Sequence, residues 1–437
     1  MKLCICLMSI IGFLASPHQV PAQNFAPAVD YYGVPHATII SIATADINGD
    51  GKLDIISANG ISNSITVFTN NGDGAFSSNA TYNVGVQPYC VAAADLRGSG
   101  KMDLISANFG SLGEGNTLTV LTNDGSGNFG SNATYTVGTG PFWVVAADLR
   151  GNGKMDLVSA NNGYYAHSLT VLTNNGSGIF GSNATYSVGN GPRCVVAADV
   201  NGDGKLDLIS ANFSDSTVTV LTNNGNGGFK VSATVPAGVY PTFIAAADLN
   251  GDGKVDLVCA NQYSFTNTLT VLTNNGSGVF GSNATLTVGI GPRCVVAADL
   301  RGSGKMDLVS ADQTSRTLTV LTNNGIGVFG FCATLPLPFS IQPLSVLAAD
   351  VNGDGKPDLV CANDFNAISV LMNVPMLTIN YSSVSWPSSW TNWTLQQNLD
   401  LTTTNWSTSS GISDDGTNKS VIINSSTDNL FFRLSHP

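Results

Sequence analysis

A short loop rich in Asp and Gly recurs seven times along this chain, starting at Asp46, Asp95, Asp148, Asp199, Asp248, Asp299 and Asp350, at intervals of 49 to 53 residues. A period of that length means an array of supersecondary units, each unable to bury its apolar face without a neighbour. The chain is a repeat protein, and every local assignment has to respect the period.

Four copies of the loop read Asp-x-Asn-Gly-Asp-Gly-Lys-x-Asp. In the first, Asp46, Asn48, Asp50 and Asp54 place oxygen-bearing side chains at positions 1, 3, 5 and 9. A hard cation takes about 6–8 oxygens at ~2.3–2.6 Å, and the backbone carbonyl of Lys52 at position 7 adds a further donor. Gly51 allows a turn that a Cβ would resist. The equivalent sets are Asp199, Asn201, Asp203, Lys205 and Asp207; Asp248, Asn250, Asp252, Lys254 and Asp256; and Asp350, Asn352, Asp354, Lys356 and Asp358. The expected cofactor is therefore calcium, about four ions, with each Lys contributing only its carbonyl. The helix–loop–helix calcium motif is excluded, because position 12 lacks its Glu and the flanks read as strands.

The other three copies carry Arg97, Arg150 and Arg301 at position 3 and Ser99, Asn152 and Ser303 at position 5. A guanidinium does not ligate a cation. The expectation is that its charge takes the metal's place, pairing with Asp95 and Asp103, Asp148 and Asp156, or Asp299 and Asp307; the alternative is an Arg pointing into solvent. Of 28 Asp residues 18 stand in the loops, so the net charge of −12 belongs mostly to candidate metal sites. No basic stripe of the kind nucleic acid requires is present.

Residues 1–22 read as a secretory signal, with the apolar stretch Leu3 to Ala15 and a possible cleavage point after Ala22, which predicts a secreted or cell-envelope location. No later apolar run reaches the ~20 residues of a membrane span. Cys4 and Cys6 belong to that leader. Cys90, Cys194, Cys294, Cys259 and Cys361 recur at equivalent strand positions, where bridging geometry is unfavourable, so they read as small buried thiols. Cys332 is the one to watch.

Each repeat holds four strand-like runs, seen in the third copy as Pro141 to Asp148, Met155 to Asn161, Ser168 to Asn174 and Ser182 to Gly189. The Asn-Gly turn after the third run precedes Phe180, a packing anchor. Four strands in each of seven units predict an all-β fold, a seven-bladed β-propeller over residues 23–373. The last repeat lacks a fourth strand, and the run Asn24 to Gly33 has the composition to supply it and close the ring. Residues 374–437 shift to Ser, Thr, Asn and Trp and read as a small β-sandwich-like module with its Trp residues in the core.

The Asp loop, the Asp-Leu-Val-Ser-Ala-Asn type of strand after it and the Asn-x-Gly-x-Gly-x-Phe turn together resemble the FG-GAP, or VCBS-type, repeats of integrin α propellers and secreted bacterial proteins. The resemblance covers roughly residues 24 to 373 and implies a calcium-stiffened scaffold for adhesion or ligand binding. The three Arg-bearing loops depart from the family pattern. The C-terminal segment looks like a module found on exported proteins of Verrucomicrobia-type bacteria.

On such a scaffold the loops joining strands two–three and four–one lie opposite the Asp loops and carry most of the variation between repeats. Candidate ligand-binding residues there are His36, Tyr89, Phe142, Trp143, Tyr164, Tyr165, Arg193, Phe213, Tyr263 and Arg293. Aromatics and Arg dominate interface energetics, and aromatics stack on sugars, so the expected partner is a protein or a glycan. The preferred reading is non-enzymatic. A carbohydrate-active enzyme of lyase type is the alternative, weakened because only Glu114 and scattered Asp remain outside the loops. A structural part of the cell envelope is the third. The sequence leaves the oligomeric state open.

Overall fold

The structure is a computed structural model that describes residues 24–35, 37–164, 166–263, 265–338, 341–374, 378–380, 383–398, 406–422 and 431–435. The expected leader, with Cys4 and Cys6, lies outside the described residues, as do His36 and Tyr165.

Each repeat forms one antiparallel four-stranded sheet, and seven such sheets stand among the described residues of the repeat region. In the third the strands are Pro141–Ala147, Asp156–Asn161, Ser168–Asn174 and Phe180–Ser187. The fourth begins two residues before its expected start, because a bulge opposite Leu172 and Thr173 carries the pairing back to Phe180. The second strand is buried along all six residues in every repeat. It is covered on both faces although polar residues interrupt it, and those are hydrogen-bonded in place, as Ser57 is to Asn59 Oδ1 at 3.0 Å and Asn59 Nδ2 to Thr66 Oγ1 at 2.8 Å.

The cores lie between sheets. Cys90, Ile105 and Leu118 of the second repeat pack with Val144, Leu157 and Leu172 of the third. The same arrangement joins each sheet to the next, and Ile39, Ile55 and Phe68 of the first repeat pack with Val360, Ile368 and Val370 of the seventh. Phe180 is buried and meets the ring edge of Tyr135 from the preceding sheet at 5.1 Å.

An amide at the end of each third strand ties neighbouring sheets together. Asn123 Nδ2 donates to the Ile47 carbonyl in the preceding Asp loop at 2.8 Å, and also to Met102 O within its own repeat at 3.0 Å. Asn174, Asn223, Asn274, Asn323 and Asn373 do the same to Leu96, Leu149, Val200, Leu249 and Leu300. Asn70 of the first repeat donates to Val351 O of the seventh at 2.7 Å.

The N-terminal segment Val29–Tyr32 pairs antiparallel with Ala367–Leu371 as the fourth strand of the last sheet. Asn24–Phe25 pairs separately with Asn373–Val374. The single expected strand is split because Pro27, which has no N–H to give, stands between the two pieces.

Beyond the repeats, a four-stranded and a three-stranded sheet enclose Val384, Trp386, Trp390, Leu395, Phe432 and Leu434. They lean on the seventh Asp loop. Trp393 Nε1 donates to Asp354 Oδ2 at 3.3 Å, and the Lys356 ammonium lies 5.6 Å from the Trp390 ring centre. No helix among the described residues is long and apolar enough to cross a membrane.

Candidate functional site

In the intact loops the position-1 carboxylate caps the turn: Asp46 accepts the amides of Gly49 and Gly51 at 2.7 and 2.9 Å. Gly49 and Gly51 have φ of 77° and 81°, a left-handed conformation that side-chain-bearing residues resist. Asp54 is fully buried and accepts only two amides, Ile47 N at 3.1 Å and Asn70 N at 2.8 Å. Burial, with Asp50 and Asp46 close by, raises its carboxyl above the ordinary range, as it does for Asp207 and Asp256. Asp358 is pushed up to about 8, mainly by burial.

The three Arg-bearing loops supply a cation at this point. Arg97 donates to Asp103 through Nε at 3.0 Å and Nη2 at 2.7 Å, and Nη2 also reaches Asn123 O at 2.6 Å. Arg150 and Arg301 repeat the arrangement on Asp156 and Asp307. The guanidinium thus pairs with the position-9 Asp alone. The position-1 residue Asp95 takes backbone amides of Arg97, Ser99 and Gly100 instead, a correction to the expected two-carboxylate pairing. Where Asn replaces Arg, the same buried carboxylate has no cation. A metal ion bound in these loops would be held by this carboxylate together with the position-1, position-3 and position-5 side chains. Among the described residues no His, Cys, Asp or Glu side chains are already gathered as a ready-made metal cluster.

Opposite the Asp loops, a cup of about 680 Å³ opens. Tyr89, Phe142, Arg193, Phe213, Tyr263 and Arg293 all line it. An aromatic arc runs round one side. Tyr89 lies 4.9 Å from Phe142, and the Arg193 guanidinium sits 3.4 Å from the Phe213 ring centre and 5.4 Å from that of Phe142. Tyr240 lies between Phe213 at 4.8 Å and Tyr263 at 5.1 Å. The other side is an amide relay: Arg193 Nη1 to Gln262 Oε1 at 3.4 Å, Gln262 Nε2 to Gln313 Oε1 at 2.7 Å, and Gln313 Nε2 to Gln342 Oε1 at 3.2 Å.

Two expected residues lie elsewhere. Trp143 is one position deeper on its strand and meets Phe243 edge-on at 5.0 Å, where both line apolar space below the cup. Tyr164 is exposed at a loop tip. The three Gln residues and Tyr240 were not singled out from the sequence. Gln262 and Gln313 directly follow the second strand, in the two–three loops, and Tyr240 and Gln342 directly precede the Pro that opens the next sheet, in the four–one loops, and that position was the available signal.

Six overlapping stretches, residues 46–106, 98–159, 148–210, 199–259, 248–310 and 300–361, match the FG-GAP-like repeat. The chain belongs to the FG-GAP-like repeat family. These FG-GAP repeats build an all-β propeller-type array of four-stranded sheets. No curated protein matches it in sequence. In fold it is similar to BBS1N from a complex with ARL6DN, at 11% identity and TM-score 0.58, over 80% of this chain and 97% of that one. It is also similar to a catalytically inactive virginiamycin B lyase from Staphylococcus aureus with quinupristin, at 15% identity and TM-score 0.53, over 80% and 100% of the two chains. A putative 6-phosphogluconolactonase from Bacteroides uniformis aligns at 16% identity and TM-score 0.53, over 69% and 86%. At these identities the likeness speaks for the fold alone.

Proposed function

We propose that this chain is an exported, calcium-binding, seven-bladed β-propeller that acts as a non-enzymatic adhesion or ligand-binding scaffold for a protein or glycan. The N-terminal strand closes the ring, which is supported by its pairing with the last sheet and by the packing of the first repeat on the seventh. About four calcium ions stiffen one face, held by the intact loops that begin at Asp46, Asp199, Asp248 and Asp350. Residues 374–437 form a separate small β-module.

The observation that carries the binding role is the cup on the opposite face, where aromatic rings, three Arg and three Gln converge on one cavity. Its volume lies within the ~300–1,000 Å³ typical of ligand sites. Among the described residues no carboxylate lines the cup, and Asp364 near it accepts the Gln342 backbone amide at 2.6 Å, which favours binding over chemistry that needs two positioned carboxylates.

The test is a screen against a glycan array and against separated envelope proteins, run with and without calcium. Binding that is lost when Arg193 and Arg293 are both replaced by Ala supports the cup. Binding that survives that replacement unchanged places function elsewhere, and product release from a polysaccharide overturns the non-enzymatic reading.

A further inference from the structure

Arg193 and Arg293 share one cavity in a chain whose net charge is −12. Both are half-buried, and neither has a carboxylate within ion-pairing distance among the described residues. Arg193 Nε is buried with no hydrogen-bond partner among the described residues, while Nη1 makes a long bond to Gln262 and the guanidinium lies over the Phe213 ring. Burial lowers the Arg193 guanidinium to about 10, and the nearby charge of Arg293 adds to that effect. Elsewhere in this chain a half-buried Arg beside a buried carboxylate is gripped by two hydrogen bonds, as Arg97 is by Asp103. Two partly desolvated cations without such a partner are costly unless an anion completes them.

The rest of the cup states what carries that anion. Along one wall Arg193 covers the Phe213 face and Tyr240 packs between Phe213 and Tyr263, which leaves the exposed Tyr263 at the end of the arc as the ring on which a sugar can lie. The Gln262–Gln313–Gln342 relay on the other wall offers amide donors and acceptors suited to hydroxyls. Tyr240 and Arg316 hold left-handed backbone at φ 57° and 60°, which residues with side chains seldom adopt. Below the Arg pair the space narrows to a cavity of about 30 Å³, and Trp143 lies edge-on against Phe243 there. A chain end fits a cup with so narrow a floor better than a continuous strand does.

Resting on the ligand-binding reading above, we propose that the cup takes the terminal carboxylate-bearing sugar of an acidic glycan. The carboxylate sits between Arg193 and Arg293, the ring lies against Tyr263, and the hydroxyls meet the Gln relay.

The experiment is isothermal titration of the full chain with trimers of galacturonate, glucuronate and mannuronate, with each carboxyl-reduced neutral counterpart, and with a short Asp-rich peptide, at low and at moderate salt. At least one uronate trimer should bind, its reduced counterpart should bind at least tenfold more weakly, and added salt should weaken the uronate. Arg193→Gln and Arg293→Gln should each lower uronate affinity at least tenfold with an unchanged thermal melt. Because the reduced sugars leave the protein untouched, a misfolded variant cannot decide the outcome. Equal binding of charged and neutral trimers overturns the anionic class while leaving a glycan site. Binding of the peptide without any sugar overturns the glycan class. If no trimer binds, the proposal fails, and the scaffold reading then stands or falls with whether a partner from the wider screen still depends on the two Arg residues.

Discussion

The Arg97 guanidinium grips Asp103 through two hydrogen bonds, at 3.0 and 2.7 Å, at the point where the first repeat leaves Asp54 with amides alone. One scaffold position is thus served by a covalently attached cation in three repeats and, on the proposal above, by a free ion in four. Exchanging the two devices should change the ion count one at a time. Calorimetric titration of the calcium-stripped chain is expected to give about four ions. Asn48→Arg with Asp50→Ser should give three, and Arg97→Asn with Ser99→Asp should give five. Seven sites in the unaltered chain, or none, would sink the scheme.

The Arg150 side chain is about a quarter exposed while its partner Asp156 is fully buried. Arg150→Ala should therefore strand a charge inside the protein and destabilise it by about 3 kcal/mol. Adding Asp156→Asn to that variant should recover most of the loss. Denaturant melts of the single and double variants measure both values, and an Arg150→Ala change below about 0.5 kcal/mol would show the pair to be ornamental to stability.

Asp312 stands where six other repeats have Asn. It accepts hydroxyls from Ser310 and Thr319, each at 2.6 Å, and burial raises its carboxyl to about 6. Between its ordinary value of 3.8 and that raised one, the folded state holds more protons than the unfolded. Stability contributed at this site therefore falls as pH rises from about 4 to about 6 and stays flat above that window. Asp312→Asn restores the amide that Asn59 uses to reach Thr66 at 2.8 Å. It should stabilise the protein by about 2–3 kcal/mol at pH 7, with the gain vanishing near pH 4. Thermal melts across that range read the difference directly.

Trp390 and Trp393 touch the seventh Asp loop through Lys356 and Asp354. If that loop holds calcium, chelation should shift the tryptophan emission, and Trp393→Phe should remove the larger part of the shift. Asp354→Ala should abolish the response while leaving ion binding in the other three intact loops. An emission spectrum indifferent to chelator would mean that the seventh loop behaves alike with and without an ion.

The period told most of the fold. Strand order and the capture of the N-terminal strand by the last sheet follow from counting four runs per repeat and finding one missing. What the sequence did not disclose is side-chain direction within a strand. Phe142 and Trp143 are adjacent, yet the pleat sends one to the cup and the other down to Phe243. The Gln relay was illegible for a different reason, since its members come from three repeats and only packing brings them within 2.7–3.2 Å of one another. The pairing of Arg97 with Asp103 in preference to Asp95 was set by geometry as well, because Asp95 is already occupied by the amides of its own turn.

The amide that Asn123 lends to the loop carbonyl of Ile47 means that each Asp loop is also a seam between two sheets. An ion seated in the loop would bear on the joint as much as on the turn. Calcium supply would then act as a tension setting for the whole assembly: withdrawing it would slacken the joints while the individual sheets kept their hydrogen bonds, and the cup, whose wall residues come from several different sheets, would be the first part to lose its shape.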